Sequence, residues 1–209
     1  MTRMKSTLLA LFVAACWMSA AQADALKGYR LTIDGVAADI DAGGSAEMTL
    51  PDGRKVTAHL ERNEYVTYAG DRFSFVHPST MAVTKTQLTD SIVQHLLASA
   101  VGTVVIVQDY AAINPVALDQ LMLQEMTKES VQAGGALTQE KTSRKLADGK
   151  ELTGIKATVA TRTESADYEI LGYGKVDQGV MVITRIDREN AASDRPLLDR
   201  FWQSLELDF

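Results

Sequence analysis

The sequence predicts an α+β fold, mainly an antiparallel sheet covered by helices, preceded by a small β-hairpin subdomain. Three observations point there. Residues 154–162, 167–175 and 180–187 read as consecutive strands. Ile155, Ala157 and Val159 share one face of the first, and Val180, Val182 and Ile186 share one face of the last. Residues 195–205 read as a closing helix, because Leu197, Leu198, Phe201, Trp202 and Leu205 recur at helical spacing. Residues 103–108 are β-branched and apolar on both faces, the pattern of a strand covered from both sides.

Ahead of this fold stand Arg3 and Lys5, an apolar run over 8–18, and Ala21-Gln22-Ala23 before Asp24. A basic start, a short apolar run and an A-x-A site describe a cleaved secretory signal peptide, residues 1–23. The run falls well short of the roughly 20 residues that span a bilayer, so no transmembrane span is expected after cleavage. Val13-Ala14-Ala15-Cys16 also fits a lipoprotein cleavage site, which leaves a chain anchored through Cys16 as the alternative. Cys16 is the only cysteine, so ordinary cleavage removes every thiol and with it disulfides and Cys-based metal sites. The balance of 21 basic against 27 acidic residues gives a net charge of −6. Loss of Arg3 and Lys5 makes the rest more acidic still. That argues against nucleic acid, whose affinity comes largely from neutralising phosphates.

Residues 24–70 read as the N-terminal β unit. Tyr29-Arg30-Leu31-Thr32-Ile33 alternates and ends at the turn Asp34-Gly35. Residues 46–50 and 56–60 flank Pro51-Asp52-Gly53-Arg54. Pro presets φ at the corner and Gly accepts a positive φ, which makes a hairpin. Tyr65-Val66-Thr67-Tyr68 adds a short strand.

Residues 71–209 form the main domain. Phe73-Ser74-Phe75-Val76 is its first strand, stopped by Pro78, which has no N–H for a ladder. Residues 81–84 offer another short strand. Thr89-Asp90 reads as the cap of a helix over 91–100, with Ile92, Val93, Leu96 and Leu97 on one face and Gly102 beyond its end. Asn114-Pro115 starts a second helix, since Asn caps and Pro suits the first helical position. Its expected buried stripe is Leu118, Leu121, Met122 and Met126, with Asp119, Lys128 and Glu129 toward solvent. Residues 137–146 are polar and read as an edge strand. Asp177-Gln178-Gly179 joins the last two strands, and Asp194 caps the final helix ahead of Pro196.

Three stretches carry a resemblance: Phe73-Ser74-Phe75-Val76-His77-Pro78, the meander over 149–187, and Phe201-Trp202-Gln203-Ser204-Leu205. Together with the order of elements they resemble the PsbP-like fold, which includes the DcrB family of bacterial envelope proteins. The resemblance spans 71–207 and leaves the N-terminal hairpins outside. It implies an α/β/α sandwich with a non-catalytic binding, chaperone or assembly role in the periplasm, and it carries over no catalytic residue.

The search for chemistry is consistent with that role. His59, His77 and His95 are the only histidines, and none stands at the i, i+2 or i, i+4 spacing of a metal site. Asp39 and Asp41 hold the first and third places of a calcium-loop pattern. Gly43 stands at the fifth place, and Leu50 at the twelfth where a bidentate Glu is needed. Gly172-Tyr173-Gly174 lacks the third glycine of a nucleotide fingerprint and precedes no helix, so it reads as a bulge or a close backbone approach. No serine sits in a G-x-S-x-G elbow. No catalytic, cofactor-binding or metal residue is therefore expected.

Phe73, Tyr173 and Trp202 are the candidate rim of a partner groove where the sheet meets the final helix. The expected function is an exported, non-catalytic envelope binding or assembly module, periplasmic or secreted, with a protein partner. Two alternatives stand. A hydrolase assembled from distant residues predicts His77 or His95 bonded to a carboxylate, with a Ser or Tyr in the same cleft. A weak calcium-binding structural module would centre on Asp39 and Asp41.

Overall fold

The computed structural model describes residues 28–209. The expected leader, residues 1–23, and the Cys16 alternative lie outside the described residues. Among the described residues no helix is long and apolar enough to cross a membrane. The chain divides into two compact units between Glu61 and Arg62, earlier than the expected boundary at residue 70.

In the first unit β1 (Tyr29–Ile33) pairs with β2 (Val36–Ile40), and β3 (Ser45–Thr49) with β4 (Lys55–His59), both antiparallel. Asp34 and Gly35 turn the first hairpin with φ of 48° and 82°. Positive φ at both central residues matches the twist of the flanking strands, and an Asp-Gly pair tolerates it. In the second hairpin the Leu50 N–H donates to the Arg54 carbonyl at 2.8 Å and Gly53 takes φ 86°. Among the described residues of this unit Ile40, Met48 and Leu50 are the buried ones.

The second unit opens with β5 (Tyr65–Ala69), which pairs along its length with β6 (Phe73–Pro78). That ladder places Tyr65–Ala69 with the main domain rather than with the hairpins. β7 (Thr84–Thr89), β8 (Ile92–Ala98) and β9 (Val104–Tyr110) follow. A 3-10 turn (Pro115–Leu118) leads into α1 (Asp119–Gln132). β10 (Ala136–Lys145), β11 (Glu151–Ala160), β12 (Ser165–Lys175) and β13 (Gln178–Asp187) form the meander. A second 3-10 turn (Arg188–Asn190) precedes α2 (Ala191–Ser204), and β14 (Glu206–Leu207) comes after it. Strands in the order β10-β11-β12-β13-β9-β8-β7 build one antiparallel seven-stranded sheet, and β14-β6-β5 a smaller one. The expected α+β class with a mainly antiparallel sheet is the observed one.

Alternation along the strands sorts the core onto two faces. Val105, Val107, Leu171, Val180, Val182 and Ile186 lie on one, packed with Phe73 and Phe75 of β6 and Leu198, Phe201 and Trp202 of α2. Ile106, Ile155, Ala157, Ile170, Met181 and Ile183 lie on the other, packed with Leu123 of α1. Both faces of β9 and β13 are therefore apolar, as the sequence of those strands requires.

Three expectations are corrected. Residues 91–100 are not a helix. Asp90-Ser91 is a two-residue turn and β8 is a strand between β7 and β9. Its side chains alternate: Leu97 joins the α2 face, while Ile92 and Leu96 pack on the α1 face. An apolar pattern of i, i+1, i+4, i+5 satisfies a helical stripe and a strand covered on both sides equally well, and the ladders decide. In α1 Leu121 is 56% exposed, while Leu123 and Thr127 are buried. Both leucines are apolar but point to opposite sides, so only one can face the sheet. Asp119, expected in solvent, is buried and accepts from Lys141 Nζ at 2.7 Å. Finally, α2 begins at Ala191, a turn before Asp194, and ends at Ser204, so Leu205 is extended and leads into β14.

Gly172 has a packing reason. A Cβ there would stand 3.0 Å from Val116 Cα, in the 3-10 turn that Asn114 caps by accepting from the Val116 N–H at 3.1 Å.

Candidate functional site

The α2 face of the sheet changes character from row to row. One register row runs Thr142, Gly154, Leu171, Val182, Val107, and is largely apolar. The next runs Glu140, Lys156, Glu169, Thr184, and the one beyond it Thr138, Thr158, Asp167, Ile186. Leu198 and Trp202 of α2 sit against the apolar part, and the polar rows open into a cleft of about 530 Å³. Arg195 and Asp199 of α2 form its opposite wall. A second hollow of about 350 Å³ shares Lys156 and Asp167 with it and adds Arg188.

Ion pairs organise part of this lining. Arg144 Nη2 donates to both oxygens of Glu169, at 3.1 and 2.8 Å, and its guanidinium lies 4.4 Å from the centroid of the Trp202 ring. That contact combines a charge-assisted bond with a cation–π interaction and fixes the indole. Asp167 accepts from Thr158 Oγ1 at 2.6 Å and pairs with Arg188 at 2.8 Å. Burial pushes its carboxyl up, but the bonds from Arg188 and Thr158 and the charges of Arg188 and Lys156 outweigh this and hold it below the usual range. Lys156 stands between Glu140 and Glu169 across the ladder, where opposite charges attract. Among the described residues Lys156 and Arg195 make no ion pair. Thr184 is 4% exposed, lines the cleft, and its hydroxyl makes no hydrogen bond among the described residues.

Chemically the cleft offers donors, acceptors and charges of both signs. Asp167, held ionised by strong donors, is a weak base there. No histidine lines it.

The expected groove residues are brought into one core cluster but do not form one rim. Phe73 is buried, stacked on Phe75 at 6.0 Å and edge-on to His95 at 4.9 Å. Tyr173 is half-buried and packs on Phe209 at 5.4 Å. Trp202 lines the cleft, whereas Phe73 and Tyr173 do not. Sequence reasoning missed Arg144, Lys156, Glu169 and Thr184. The available signal was in β11, where Lys156 and Thr158 alternate with the apolar Ile155, Ala157 and Val159.

The histidines are dispersed. His59 bonds Ser45 Oγ at 2.9 Å and Glu61 at 3.1 Å on an exposed surface. His77 is buried, and its Nδ1 donates to the Pro78 carbonyl at 2.9 Å. His95 is 2% exposed, its Nδ1 bonds the Tyr68 hydroxyl at 2.7 Å, and its Nε2 has no partner. The hydrolase alternative required a carboxylate bonded to one of the two buried histidines. Neither makes such a bond among the described residues.

In the first unit Asp39 accepts from Arg30 at 2.8 Å and Asp41 from the Gly28 N–H at 3.0 Å. Among the described residues no group of three or more His, Cys, Asp or Glu could hold a metal.

Compared with known proteins, the chain matches no protein-family model and no curated protein sequence.

Proposed function

We propose that this chain is an exported, non-catalytic binding or assembly module of the cell envelope, and that a protein partner docks along the polar cleft beside α2. One observation carries the reading. At the row Lys156, Glu169, Thr184 the sheet loses its cover, and charges together with the Thr184 hydroxyl face an opening of about 530 Å³. Adjacent charges of both signs suit a partner of mixed charge, since complementary pairs fix register and reject wrong partners. The layering of α1, sheet and α2 supports a PsbP-like α/β/α sandwich. The apolar run before Ala21-Gln22-Ala23 supports export to the periplasm or medium.

Capture from an envelope extract tests the cleft, using the wild-type chain and a Lys156→Glu/Arg195→Glu variant of unchanged circular dichroism. A partner held by the wild type and lost by the variant is expected. An identical set of partners for both would sink the assignment. The mass of the chain purified from cells tests export. A start near Asp24 is expected, and a lipid-modified chain beginning at Cys16 would replace it with the anchored form.

A further inference from the structure

β10 and β7 are the two edges of the seven-stranded sheet. β7 is 6 residues long, carries Lys85, and shifts register between Gln87 and Thr89. A short strand, a lysine and a bulge are devices that stop an edge from pairing further. β10 runs for 10 residues without a proline and keeps one register with β11 throughout. Lys141 and Arg144, charges of the kind that guard an edge, are held by Asp119 and Glu169 of the same chain. Glu140 makes no ion pair among the described residues.

The hydrogen bonds at the ends of β11 show which groups of β10 stay free. The Leu146 N–H donates to the Lys150 carbonyl at 2.8 Å, and the Thr161 N–H to the Glu164 carbonyl at 2.8 Å. In an antiparallel ladder, bonded and unbonded pairs alternate. The even residues of β11 therefore serve β10 and its odd residues serve β12, and on β10 it is the even residues that bond β11. Leu137, Gln139, Lys141, Ser143 and Lys145 turn their N–H and C=O groups outward, where nothing bonds them among the described residues.

We propose that β10 is a dimerisation edge: a second copy of this chain pairs with it, antiparallel, about a two-fold axis at Thr142. Outward groups must oppose outward groups, so a residue of odd number meets only another of odd number. Of the long overlaps this leaves, an axis at Glu140 or at Lys141 sets that residue against its own copy. Like charges directly opposite destabilise. An axis at Gln139 brings no opposite charges together. An axis at Thr142 sets Glu140 against the second copy's Arg144, and Arg144 against its Glu140. Gln139 then stands opposite Lys145, and Lys141 opposite Ser143, in the hydrogen-bonded pairs. Glu140 gains a partner, no like charges stand directly opposite, and both copies satisfy their edges at once. The two clefts beside α2 then open on the same face of one continuous sheet.

Sedimentation equilibrium over a range of concentrations gives the mass of the full chain, and the wild type should be a dimer. Ser143→Pro removes one outward N–H and no bond to β11, so it should be monomeric where the wild type is dimeric. Glu140→Arg sets a guanidinium opposite Arg144 in both symmetric pairs and should raise the dissociation constant by about tenfold. Cys16 is the only cysteine, so Thr142→Cys in a Cys16→Ser background carries a single thiol. At the axis Thr142 forms a pair without hydrogen bonds, with Cα atoms about 4.5 Å apart, inside the roughly 4.4–6.8 Å span of a disulfide. Mild oxidation should link two copies through Thr142→Cys and leave Lys141→Cys unlinked. A monomeric wild type overturns the proposal. So does a dimer that survives in Ser143→Pro, an affinity unchanged in Glu140→Arg, or a link through Lys141→Cys instead. Should Ser143→Pro fail to fold, the cross-link decides.

Discussion

Arg72→Met isolates a buried charge. Asp109 is 3% exposed, accepts from Arg72 Nη1 at 2.6 Å on one oxygen, and has no partner on the other. Without the guanidinium the carboxylate is buried with neither oxygen bonded. Breaking a buried pair from one side costs about 3–5 kcal/mol. The Arg72 side chain is 25% exposed, so water screens the pair and reaches the carboxylate once the guanidinium is gone. The lower end, about 3 kcal/mol, is therefore expected. In a unit of this size that corresponds to a fall in Tm of roughly 6–12 °C. Adding Asp109→Leu should recover most of the loss, because the register partners of Asp109 are Val93 and Val180 and an apolar side chain suits them. Urea unfolding of wild type, single and double variants at pH 7 measures both steps. A single variant within about 0.5 kcal/mol of wild type would refute the reasoning. So would a double variant less stable than the single.

Two further outcomes follow from the packing and the cleft. Leu123→Ala should cost about 2–5 kcal/mol by leaving a cavity under α1, while Leu121→Ala on the exposed side should stay within about 0.5 kcal/mol. Equal losses in urea unfolding would mean that the helix is rotated. Asp167 is held below the ordinary carboxylate value of 3.8, so its contribution is present above that pH and is lost as pH falls through the lowered value. Arg188→Ala should therefore be less stable than wild type at pH 6, and the gap should narrow progressively as unfolding is repeated at pH values stepped down below 3.8. A gap that persists at low pH would show that Asp167 is not the group involved.

The sequence carried the parts of the fold that local chemistry decides. Asp34-Gly35 and Pro51–Arg54 turned hairpins because few residue types accept those dihedrals. Pro78 ended β6, and Asn114 capped the turn before α1, for reasons internal to a few residues. The period-2 pattern of β12 and β13 survives because both faces of the sheet are covered by helices that read the same pattern. The Gly172 contact shows the limit: a strand glycine announced a close approach but not that Val116 would make it.

Tertiary structure alone decided what lies where two patterns fit equally or where distant residues meet. Ile92 to Ala98 became a strand because β7 and β9 offered ladders on both sides, and those hydrogen bonds outweigh a helical stripe that had no other support. Leu123 rather than Leu121 faces the core because the start of α1 is set by the capped turn seated on β12. The cleft takes Lys156, Glu169 and Thr184 from three neighbouring strands that register aligns, and Arg144 and Arg195 reach it from β10 and α2. A one-residue slip would send each strand side chain to the opposite face. Tyr68 and His95 stand 27 positions apart and meet only because the small sheet lies on the large one. Backbone chemistry is local and can be read along the chain, whereas burial and charge pairing are properties of surfaces that exist only after the strands have chosen their neighbours.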